Sequence, residues 1–359
     1  MVSHHKLGGP PKLSRYPLFA LTAAAFVAAC AVVVTLKAAP RSNDKVVLFP
    51  KLVTGQVLTY QIAYHADKSA ATKSTVARST PQTPSGAETN VRALLRLEVV
   101  GVEGQGSRAT VHARTYFQVL NSTTHVKVPN SVPTPPDQTQ TQDPKGISIE
   151  FTVNPGGRID QIKGLDRLFP EQQQAWQEWV ARFAASAVLP EGGIRIGQKW
   201  KSEEGENAPA PIAKLTWRRE SVYLRDEPCH ISELTMAGDV AEVHPQQVPE
   251  TCAVIETSAT LKQHSSPDDS TPEDYKLHQL QTSGTASGTN KTLLFVSTQT
   301  GLLVRSSDHA DQKMSVTIAK ADDSNRVHYD IVAKSDTEIF RIANSPLTTS
   351  TTSPSTPAN

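Results

Sequence analysis

Residues 91–117 read VRALLRLEVVGV-EGQG-SRATVHARTYF, and the reading of this stretch decides the fold. Ala109, Val111 and Ala113 fall on one side of its second half, opposite Arg108, Thr110, His112 and Arg114. A period of two marks a strand with one buried face. Glu103-Gly104-Gln105-Gly106 joins the two halves, so the stretch predicts a β-hairpin. Related runs lie on either side. QVLTYQIAYH (56–65) precedes it, and GISIEFTV (146–153) turns at Asn154-Pro155-Gly156-Gly157 into RIDQIKG. Further on come IAKLTWRRESVYL (212–224), CHISELTMAG, TCAVIETSATLKQ and KLHQLQTSGTASGT. KTLLFVSTQTGLLVRSS (291–307) predicts a hairpin turning at Gln299-Thr300-Gly301, and MSVTIAKA and RVHYDIVAKSDTEIF complete the series. About a dozen strands in succession, without regular βα alternation, predict a mainly β (α+β) fold. Its expected form is a large curved antiparallel sheet or half-barrel with one main amphipathic helix.

That helix begins at Pro170, a residue suited to a first helical turn. The run EQQQAWQEWVARFAASAV places Trp176, Trp179, Val180, Phe183 and Ala187 on one face. Trp176, Trp179 and Phe183 are the candidate apolar ligand face. The alternative is that this stripe simply packs on the sheet. Gly55-Gln56-Val57-Leu58 and Gly197-Gln198-Lys199-Trp200 open strands with the same step, an echo of two similar sheets or two halves of one curved sheet.

Residues 17–36, PLFALTAAAFVAACAVVVTL, carry no charge over 20 positions, the length that crosses a bilayer core. An uncleaved anchor is the expectation, with 1–16 as a cytoplasmic tail and 45–341 as an extracytoplasmic β domain. Two alternatives stay open. Val27-Ala28-Ala29-Cys30 resembles a lipobox with Cys30 as the acylated residue, and a secretory signal could be cleaved after Ala38. Loops near 66–90 and 121–145, and a Ser/Thr/Pro tail at 342–359, are read as poorly ordered. Cys229 and Cys252 are the only cysteines beyond the anchor, and in an oxidising compartment they predict a disulfide.

Of the 359 residues 38% are hydrophobic, which allows a lean core, and a net charge of +1 offers no field for nucleic acid. No P-loop, GxGxxG, HExxH or GxSxG occurs. No cofactor, metal or catalytic residue is assigned. Gly284-Thr285-Ala286-Ser287-Gly288 has its serine one position off a nucleophile elbow and is read as backbone structure.

LPEGGIRIGQKWKSE (189–203), the G-Q-x-L-x-Y strand (55–60), the N-P-G-G-R-I turn and T-G-L-L-V (300–304) together resemble uncharacterised β-rich bacterial envelope proteins of an acidobacterial type. That class loosely resembles the lipoprotein carriers, in which a curved sheet wraps a helix. The resemblance covers residues 45–341. It implies a single-pass inner-membrane protein with its domain in the periplasm, or else a lipoprotein or secreted protein. Its partners would be the membrane through 17–36 and a lipid or an envelope protein. The expected function is non-enzymatic, with an apolar ligand on the curved sheet. The alternatives are a structural or interaction domain, or an extracytoplasmic hydrolase without a recognisable motif.

Overall fold

The computed structural model describes residues 45–74, 85–127, 138–139, 146–155, 158–185, 189–190, 192–205, 211–237, 240–320 and 326–343. All belong to the compact unit Asn43–Asn359. The expected anchor at 17–36, Cys30 and the tail from 344 lie outside the described residues. Among those described, no helix is long and apolar enough to cross a membrane.

The first strands are β1 (Val57–Ser74), β2 (Ser85–Glu103), β3 (Thr110–Lys127), β4 (Gln138–Thr139), β5 (Ile147–Val153) and β6 (Ile159–Lys163). Helix α1 (Pro170–Ala185) follows. The second series is β7 (Lys199–Gly205), β8 (Leu215–Ala237), β9 (Val240–Gln263), the short helix α2 (Glu273–Leu277), β10 (Leu280–Ser297), β11 (Leu303–Lys320) and β12 (Val327–Ile342). They form one sheet in the order β6-β5-β3-β2-β1-β12-β11-β10-β9-β8-β7, with β4 beside β3. Neighbours along this order run antiparallel, and one parallel contact, Ile342 to Ser232, brings β12 to β8.

The hairpin that decides the fold is β2–β3, with Leu95 opposite Phe117 and Val102 opposite Val111. Val91, Ala93, Leu95, Leu97 and Val99 are buried, while Arg92, Arg96 and Val100 face solvent. The alternation that predicts a strand also sets its register, because a slip by one would turn five apolar side chains into water. The strands outrun their expected ends. β1 continues to Ser74, β2 starts at Ser85 and β3 runs to Lys127, so parts of the stretches read as loops are ladder. Central strands pair on both edges, and those backbone hydrogen bonds tolerate the polar composition that marks these ends. Residues 212–224 and 229–238, which read as two strands, join in the single β8. Register shifts at Tyr223/Arg225 and Pro228/His230 bend it. Cys229 lies in the second shift and is bonded to Cys252 of β9, so the disulfide pins the bend.

The Gly-Gln echo is a repeated turn. Gly55 and Gly197 have φ of 83° and 81°, and neither has anything within 4 Å of where a Cβ would lie. Left-handed backbone, not crowding, asks for glycine there. Gln56 Oε1 accepts from Val53 N at 3.2 Å, and Gln198 Oε1 accepts from Arg195 N at 3.3 Å. Gly55 N donates to Val99 O at 2.8 Å, and Gly197 N to Tyr223 O at 2.7 Å. A register shift follows both Val99 and Tyr223. The two halves of the sheet start alike.

Candidate functional site

Helix α1 packs on one face of the sheet. Cross-strand partners share a face, so it can be followed in rows across the strands. One row reads Ile62, Ile339, Ser306, Leu294, Ile255 and Tyr223 from β1 to β8. The next reads Tyr64, Thr337, Asp308, Thr292, Thr257, Ser221 and Trp200. Then come Ala66, Ser335, Ala310, Asn290, Ala259, Arg219 and Ser202. Beyond lie Lys68, Ala333, Gln312 and Gly288, then Ala70, Ile331, Met314 and Ala286, then Thr72, Tyr329, Val316 and Gly284. Along the strands the face passes from apolar, through polar and small, to apolar again.

Helix α1 fills the first apolar zone. Trp176 and Trp179 are 0% exposed and Phe183 2%. Trp176 Nε1 donates to Thr115 Oγ1 at 3.0 Å, and that hydroxyl donates to Ile149 O at 3.3 Å. Phe151 meets both indoles edge-on at 5.6 and 6.1 Å, while Phe183 stacks on Trp179 at 5.2 Å. Tyr60 lies 5.8 Å from Trp179 and donates to Leu303 O at 3.2 Å. Its burial pushes the phenol well above its ordinary pKa, with Arg341 opposing more weakly. The three aromatic residues read as a ligand face are therefore together, as their spacing requires, but sheet side chains already cover them. The periodicity marks an apolar face and carries no information on what covers it.

The polar row holds a buried ion cluster. Arg182 Nη2 lies 2.7 Å from Asp308 Oδ1 and 3.1 Å from Glu178 Oε2, and the side chains of Arg182 and Asp308 are 10% and 2% exposed. Asp308 also accepts from Asn290 Nδ2 at 2.9 Å and from the Thr292 hydroxyl. Ser221 and Thr257 hydroxyls bond at 2.8 Å. Burial works to lower the pKa of Arg182, but the Asp308 and Glu178 carboxylates outweigh it, and the guanidinium is held above its ordinary value. Arg219, at the open side, is pulled below its ordinary value first by burial and then by Arg182. None of these groups is singled out in the sequence. Ser306-Ser307-Asp308-His309 is polar on both faces, so alternation gives no sign that Asp308 points inward.

The second apolar zone is only partly closed. Ile212, Leu215, Leu261 and Val316 are buried there, and Trp217, Ala286, Met314, Ile318 and Tyr329 pack against them while partly exposed. Ile331, Ala333 and Ala70 are partly exposed beside them on the same face. The Trp217 ring lies 3.1 Å from where a Gly288 Cβ would stand, so the glycine lets the indole lie against the sheet. This zone, with its small residues next to the ion cluster, is the open part of the α1 face.

The opposite face of the sheet carries a polar cluster of its own. Thr317 Oγ1 lies 3.0 Å from His328 Nδ1, His328 Nε2 lies 3.1 Å from Asp330, and Ser315 donates to Asp330 at 2.8 Å. Hydroxyl, imidazole and carboxylate are thus in line. Both β11 and β12 pair on both edges here, so their backbone N–H groups are committed to the ladders and supply no oxyanion hole. A shallow recess on the same face is lined by Ala63, His65, Arg92, Asp336 and Glu338 among others. Among the described residues no group of three or more His, Cys, Asp or Glu could hold a metal ion.

No known protein family matches the chain. No curated protein matches it in sequence. A solved structure of lipovitellin, concerned with lipid–protein interactions in that protein, aligns with a TM-score of 0.33 at 10% identity. The alignment covers 81% of this chain and 25% of the lipovitellin chain, and a likeness this distant carries no argument about the ligand.

Proposed function

We propose that this chain is a non-enzymatic binding protein of the bacterial cell envelope, tethered through residues 17–36, that holds an apolar ligand such as a lipid chain. The ligand lies on the open part of the α1 face, beyond the ion cluster, rather than on the Trp176/Trp179/Phe183 face. One observation carries the reading. Beyond α1, the side chains of Ile331, Met314, Ile318 and Tyr329 stay partly exposed on the α1 face, where adjoining positions are Ala70, Ala310 and Ala333. Sites for apolar ligands are mostly apolar and carry few polar groups. The uncharged run at 17–36 supports the tether, and the bonded Cys229–Cys252 pair suits an oxidising compartment.

The test is binding of an environment-sensitive fluorescent fatty acid to the full chain. Ile331→Asp, which puts a charge in the open apolar zone, is expected to weaken binding about tenfold or more. Lys313→Asp, one strand position away from Met314 and on the opposite face, is expected to leave it unchanged. Equal effects of the two substitutions, or no binding by the parent protein, would refute the site. A second reading, a structural or interaction domain without a ligand, is favoured by the complete packing of the α1 face. It expects no saturable probe binding.

A further inference from the structure

The two ends of the sheet differ. At one end β6 has five residues, its register on β5 shifts, and Gln161 within it lies at φ 56°. An edge this short and irregular is a poor template for another strand. At the other end β7 has seven residues, runs on β8 without a register shift and contains no proline. Gly197 N donates to Tyr223 O at 2.7 Å, and Tyr223 N donates to Gln198 O at 3.1 Å. Counting by twos from Gln198, Trp200, Ser202 and Glu204 turn their backbone groups to β8. Lys199, Lys201 and Glu203 therefore turn theirs outward, where no strand pairs with them among the described residues.

An antiparallel strand adds to this edge only with outward residues opposite outward residues. For a second copy of β7 the charges then choose the register. Centring the pair on Trp200 or Lys201 sets lysine against lysine, and centring it on Glu203 sets glutamate against glutamate. Centring it on Ser202 sets Lys201 of each copy opposite Glu203 of the other, twice by symmetry. It also sets the two Ser202 side chains opposite each other at the close, non-hydrogen-bonded position, where small hydroxyl residues pair well. Lys201 and Glu203 are exposed and only loosely engaged within the chain. Lys201 Nζ lies 3.6 Å from Glu220, and Glu203 meets Thr216 at 2.9 Å and His264 at 3.4 Å, both through Oε1. Ion pairs this exposed are weak and exchange readily.

We propose that the chain forms a symmetric dimer by joining β7 to β7 of a second copy, with Ser202 at the two-fold axis. One sheet then continues through both copies, and their α1 faces lie on the same side, because cross-strand partners share a face. The mixed charges reject strands of other sequence while fitting this one, so the edge is specific.

The experiment is sedimentation velocity of the full chain in mild detergent. The parent is expected to sediment as a dimer. Lys201→Glu and, separately, Glu203→Lys set like charges opposite each other at both symmetric positions. Each is expected to raise the dimer dissociation constant about tenfold or more. A heterodimer of the two variants regains both opposite-charge pairs, so an equal mixture is expected to sediment as a dimer again. Both positions are exposed, so both variants are expected to keep the parent's circular dichroism spectrum. Should either lose it, Lys201→Pro carries the test by removing an outward N–H that makes no bond to β8, and it too is expected to dissociate the dimer. A monomeric parent overturns the dimer. A dimer that survives in every folded variant overturns the edge, and single variants that dissociate but do not recombine overturn the register.

Discussion

Asp308 shows how far a single residue can depart from its appearance in the sequence. In the run SSDHADQ it reads as one more surface carboxylate, yet its side chain is 2% exposed and it holds Arg182 at 2.7 Å. Removing one partner of a buried ion pair leaves the other uncompensated. Asp308→Ala is therefore expected to destabilise the fold by about 3–5 kcal/mol in urea unfolding. Replacing both partners, Arg182→Met with Asp308→Leu, is expected to cost clearly less, since no charge is then left buried. Trp176→Ala is expected to lose about 3–5 kcal/mol, because it opens a cavity and removes the donor to Thr115. The aromatic stripe was readable from spacing, whereas its cover was not, because α1 meets strands that are distant in sequence. His309 gives a pH signature. Hydrogen bonding to Asp336, with Asp311 adding to it, raises the imidazole pKa above its ordinary value. The contribution is present below pH about 6.5 and is lost as pH rises through the higher folded value. The ring is largely exposed, so the effect is small. His309→Asn should therefore lower stability in mildly acidic buffer and leave it unchanged in alkaline buffer.

At the scale of the element, the turns were the most readable parts. The Gly-Gln steps and Thr-Gly-Leu each encode a local backbone geometry, and local geometry needs no knowledge of the rest of the chain. Strand ends were less readable. β1, β2 and β3 run into Ser- and Thr-rich stretches whose pairing comes from neighbours on both edges. The bend of β8 was hidden for the same reason, since register shifts belong to a pair of strands and not to one. The Cys229–Cys252 disulfide joins the two cysteines beyond residues 17–36. Breaking it by Cys229→Ser with Cys252→Ser is expected to cost about 2–4 kcal/mol in urea unfolding, and reductant should have no further effect on the variant. Gly301 ties the segment before β1 to the β10–β11 turn. Its φ is 68° and a Cβ would stand 1.9 Å from Phe49 O, while Lys51 N donates to Thr300 O at 2.8 Å. Gly301→Ala is expected to destabilise by at least about 1 kcal/mol and to speed hydrogen exchange at Lys51.

At the scale of the whole molecule, a long sheet carries helix α1 over only part of one face. The fold class was readable because alternation recurs in nearly every run. The site was not, because it depends on rows that cross strands from β1 to β8, and no single stretch contains a row. The closed aromatic zone supplies stability, and the open zone beyond the ion cluster is the part proposed to bind. The most direct measurement is photo-crosslinking of the full chain with an acyl probe bearing a photoactivatable group in its chain, followed by peptide mapping. The expected labels fall on β11 and β12 peptides containing Met314 and Ile331, and an excess of unlabelled lipid abolishes them. Labelling confined to the opposite face of the sheet, or none above the competed control, would contradict the account.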